Sequence, residues 1–92
     1  MDEQTERQLS VMKAAIVEYK AGSRSLDGLV KALEGLAAIV DDEVVRDDVF
    51  AAVLDLEQVN AVNIGGGKLS PANTALVGRV LHELEAALGG KG

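Results

Sequence analysis

The chain of 92 residues contains no cysteine and no tryptophan, and only one proline and one histidine. Without cysteine there is no disulfide, no thiolate metal site and no cysteine nucleophile. Tyr19 and Phe50 are the only aromatic residues, so there is little surface on which nucleic-acid bases could stack. Bases are also scarce, nine Lys and Arg against fifteen Asp and Glu, and the net charge of −6 argues against nucleic acid and anionic membrane as partners. No apolar run approaches the ~20 residues of a spanning helix. The opening "MDEQTERQLS" lacks the basic-then-apolar layout of a signal peptide. One small soluble domain spanning 1–92, in the cytoplasm, is the expectation.

What is present is mostly Ala, Val and Leu at helical spacing, in a chain that is 48% apolar. Leu9, Met12, Ile16 and Tyr19 recur every three or four residues, predicting a helix over about 5–21 that stops at Gly22. Ser25 can cap a second helix over 26–40, with Leu26, Leu29, Val30, Leu33, Leu36 or Ala37, and Val40 inward. Asp41 or Asp42 can cap a third over 43–64, ended by "GGG" at 65–67. Ser70 followed by Pro71 marks the start of a fourth over 71–88, lined by Leu76, Val80 or Leu81, Leu84 and Leu88. No hairpin signal occurs and the connections are short. The expected fold is all-α, an antiparallel four-helix bundle in up-down-up-down order.

The charge is unevenly placed. Residues 1–21, 22–40 and 65–92 carry −1, 0 and +1, whereas 41–64 carry −6, with Arg46 as the lone base among seven acids. The stretch "DDEVVRDD" at 41–48 opens that segment. Asp41, Asp42 and Glu43 suit a first turn, where each acid gains ~0.3–1 kcal/mol from the helix dipole. Asp47, Asp48, Asp55 and Glu57 lie too far along for that explanation.

At 100° per residue, Val45, Val49, Ala52, Val53, Leu56 and Val59 form one core stripe of the third helix, continued by Asn60 and Asn63. Phe50, Leu54 and Ala61 then fall opposite, among Glu43, Asp47, Glu57 and Gln58, while Asp48 and Asp55 share a flank. An apolar anchor inside a charged frame is the anatomy of a protein-binding hot spot. The competing reading makes the same stripe extra core, or the seam of a homodimer.

Other chemistry fits less well. In "DDEVVRDD" the acids are adjacent and no Gly turns the chain, unlike a calcium-binding loop, so no dedicated metal site is expected. "IGGGKL" at 64–69 lacks the first Gly and the final Ser or Thr of a phosphate-binding loop. His82, in "LHELEAALGG", resembles the phosphorylated helix of histidine-phosphotransfer domains, but Glu83 and Glu85 would repel a phosphoryl group. "RSLDGLV" at 24–30 resembles the attachment motif of acyl and peptidyl carrier proteins, which implies a phosphopantetheine arm on Ser25; Arg24 stands where that family has Asp, and the long first loop is missing. No nucleophile, base and oxyanion donors converge, so the chain is not read as an enzyme and no cofactor is expected.

Taken together, "EYKAGSRSLDGLVKALEGL" and "DDVFAAVLDLEQVNAV" resemble the small helical immunity proteins of bacterial toxin systems, the colicin D immunity-like and contact-dependent growth inhibition types. The resemblance covers roughly residues 9–64. It implies a protein that neutralises a cognate toxin, a basic nuclease in many of these systems. An acidic helix can enter such a cleft, accelerate association and exclude the nucleic-acid substrate. The partner-binding residues expected on this reading are Asp47, Asp48, Asp55, Glu57 and Gln58 around Phe50 and Leu54.

Overall fold

The computed structural model describes residues 3–62 and 68–89, and those residues form four α-helices and no strand. They are α1 (Glu3–Lys20), α2 (Leu26–Ile39), α3 (Glu43–Val62) and α4 (Pro71–Gly89). The first begins two residues before the expected start. The expected end of the third helix at 64, Asn63 and the glycine run 65–67 lie outside the described residues.

Each boundary has a local cause. After α1, Gly22 takes φ +85°, a left-handed conformation that costs a side chain about 1–2 kcal/mol. Its N–H donates to Tyr19 O at 3.1 Å, and the Ser23 N–H to Glu18 O at 2.8 Å, which satisfies two end carbonyls. Gly22→Ala should therefore lower stability by about 1 kcal/mol, read as a lower urea midpoint with an unchanged slope. Helix α2 starts where Ser25 Oγ accepts the Gly28 N–H at 3.0 Å. Of the two candidate caps for α3, Asp42 serves, its Oδ1 accepting the Val45 N–H at 3.0 Å. Ser70 Oγ accepts the Asn73 N–H at 3.2 Å, with Pro71 in the first helical position. Arg46 reaches back one corner and donates to Val40 O at 2.8 Å, tying the end of α2 to the first turn of α3.

The four helices enclose one apolar core. Leu9, Met12 and Ile16 of α1, Leu29 and Leu33 of α2, Val49 and Leu56 of α3, and Leu81 and Leu88 of α4 lose essentially all contact with solvent. Each such side chain contributes about 1.5–3 kcal/mol relative to exposure. All six residues of the expected α3 stripe are buried. On α2 it is Ala37 that is fully buried, with Leu36 half-covered; on α4, Val77 joins both Val80 and Leu81.

The seams α2–α3 and α3–α4 are the most extensive, and α1–α4 the slightest. Asn60 near the end of α3 donates to Asp27 at the start of α2 at 3.1 Å, which places those two helices antiparallel. An open groove between α3 and α4 is lined by Asp48, Ala51, Ala52 and Asp55 on one side and Val80, Glu83, Leu84 and Ala87 on the other. Gln8 of α1 donates to Ile39 O at the end of α2, 3.5 Å away, giving that pair an antiparallel sense as well. Lys20, at the end of α1, forms an ion pair with Glu85, near the end of α4. That pair is the ion pair of the described residues between these two helices, whose shared seam is the slightest of the four.

Candidate functional site

Because the stripe of Val and Leu faces the core, α3 must turn its opposite side outward. Phe50 is 40% exposed and Leu54 61% exposed. Neither is additional core of the single chain. Of the seven large apolar side chains left exposed among the described residues, four lie on α3: Val44, Phe50, Leu54 and Val62. Helical spacing lines up Asp47, Phe50, Leu54 and Gln58 along the outer face.

The remaining acids part to either side. Asp48 and Asp55 line an open groove between α3 and α4, where Glu83 faces them over a floor that includes Ala52, Leu84 and Ala87. Glu57 turns toward α2. There the Glu34 carboxyl hydrogen-bonds to it, and that contact, followed by partial loss of solvent and the like charge, pushes Glu57 above the ordinary carboxylate value. One turn further on, Lys31 and then Asn60 hold the Asp27 carboxyl below its ordinary value. Helix α3 thus meets α2 through one favourable polar contact and one pair of like-charged acids.

The ion pairs of the described residues are Arg7–Glu3, Lys20–Glu85, Arg24–Glu18 and Lys31–Asp27. None involves α3. Its only base, Arg46, is spent on the Val40 carbonyl, so Asp47, Asp48 and Asp55 have no hydrogen-bond or ionic partner among the described residues. A helix that concentrates the negative charge of the chain and neutralises none of it pays like-charge repulsion that the fold does not require.

Glu57 makes part of that cost measurable. Its folded-state proton affinity exceeds its ordinary one, so folding favours the protonated form. Stability then falls as pH rises from the ordinary value of 4.5 through the raised folded value, and stays lower above it. Glu57→Gln is expected to raise the thermal midpoint at neutral pH and leave it unchanged well below 4.5. Equal effects at both pH values would mean that the carboxyl pair does not form.

Ser25, the residue of the carrier-protein resemblance, is exposed, and its hydroxyl oxygen is engaged in capping α2. His82 is exposed on α4 and has no hydrogen-bond partner among the described residues. No three His, Asp or Glu side chains among the described residues stand close enough to hold a metal ion. No helix there is long and apolar enough to cross a membrane. Compared with known proteins, the chain matches no family model, no curated sequence and no solved structure.

Glu34, Glu83 and Ala87 were not among the residues expected from the sequence. They join the site only through the packing of α2 and α4 on α3, and no spacing along one helix reveals a neighbour on another.

Proposed function

We propose that the chain is a protein-binding domain that receives a basic partner on the outer face of α3, and that it acts as an immunity protein against a nuclease-type bacterial toxin. The observation that carries the binding reading is the exposure of Phe50 and Leu54 on a helix whose Asp47, Asp48 and Asp55 have no ionic partner among the described residues. The toxin as partner rests on the sequence resemblance alone.

The physical division of labour follows from position. Asp47 lies on the outer face, with Asp48 and Asp55 on one flank and Glu57 on the other. Their summed field attracts a basic surface out to about one Debye length, ~8–10 Å at ordinary salt. Such steering raises association rates by about 10 to 1,000-fold. Phe50 and Leu54 supply the apolar area that must be dehydrated for a lasting complex, and Gln58 can hydrogen-bond at the rim. A nuclease cleft built to hold phosphates presents complementary charge, and its occupation by α3 excludes the substrate.

The test is co-expression with the reading frame immediately upstream in its genome. Growth rescue from a toxic neighbour, together with co-purification, is the expected result. A harmless or non-binding neighbour would remove the immunity reading. A doubled mass in light scattering that returns to monomer in Phe50→Ala would assign the α3 face to a second copy of the chain instead.

A further inference from the structure

We draw no further inference here: the strongest candidate, the side-chain cluster of Arg24 and Ser25 at the N-terminus of α2, holds a buried Arg24 Nε without a hydrogen-bond partner among the described residues, but that side chain is 33% exposed and already paired with Glu18 at 2.8 Å, so nothing there points to a ligand.

Discussion

Phe50→Ala is expected to speed dissociation of the partner complex by about thirtyfold or more, the equivalent of the ~2 kcal/mol that marks a hot spot. Aromatic residues dominate such positions because one rigid side chain removes a large area from water at small entropic cost. Phe50 is the only Phe of the chain, is 40% exposed, and has Asp47 and Leu54 one turn away on the same face. Truncation should leave the association rate nearly unchanged, since no charge is lost. The partly covered ring also contributes to the fold, so a stability loss of about 1 kcal/mol is expected alongside. Stopped-flow or surface-plasmon measurements on the folded variant separate the two rates. An unchanged dissociation rate would place the apolar anchor elsewhere.

Leu56→Ala should produce the opposite pattern. Leu56 is completely buried in the core stripe of α3. Replacing a Leu in such a place costs about 2–5 kcal/mol, through lost transfer energy and the cavity left behind. A small domain holds about 5–15 kcal/mol in total, so a large part of the folded margin is at stake. The urea midpoint should fall sharply with the slope retained. Two residues earlier, Leu54 is 61% exposed, and Leu54→Ala should change stability by no more than about 0.5 kcal/mol. Similar losses for the two variants would contradict the assignment of the two faces of α3.

This difference between neighbouring leucines is also why much of the fold was legible in the sequence. The six apolar positions of α3 repeat at helical spacing and all six are buried. Ser25 and Ser70 cap the helices they were expected to cap, and Gly22 ends α1 through its positive φ. Periodicity was less decisive where adjacent residues competed for the core. Small Ala37 takes the fully buried place while bulkier Leu36 stays half-covered, and Val77 is buried beside the expected Leu76. Thr5 and Gln8 are buried polar residues that an apolar pattern does not mark. Lys20 of α1 meets Glu85 of α4, a pairing with no counterpart in local sequence.

The acidic face shows the same division. That Phe50 and Leu54 point outward, and that Asp48 and Asp55 share a flank, follows from 100° per residue. That Glu57 meets a second carboxyl on α2, and that Glu83 completes a groove from α4, depends on which helices become neighbours. Sequence pattern therefore describes one helix at a time, and the part of the site that spans two helices appears only once they are packed.

The most direct test of the central claim is the association rate of the partner complex, measured over a range of salt concentrations. Wild-type protein is compared with a variant carrying Asp47→Asn, Asp48→Asn, Asp55→Asn and Glu57→Gln together. If the outer face of α3 steers a basic partner, the variant associates about tenfold or more slowly at low salt, and its rate depends far less on salt. Equal rates with equal salt dependence in the two proteins would contradict the account, whatever partner is bound.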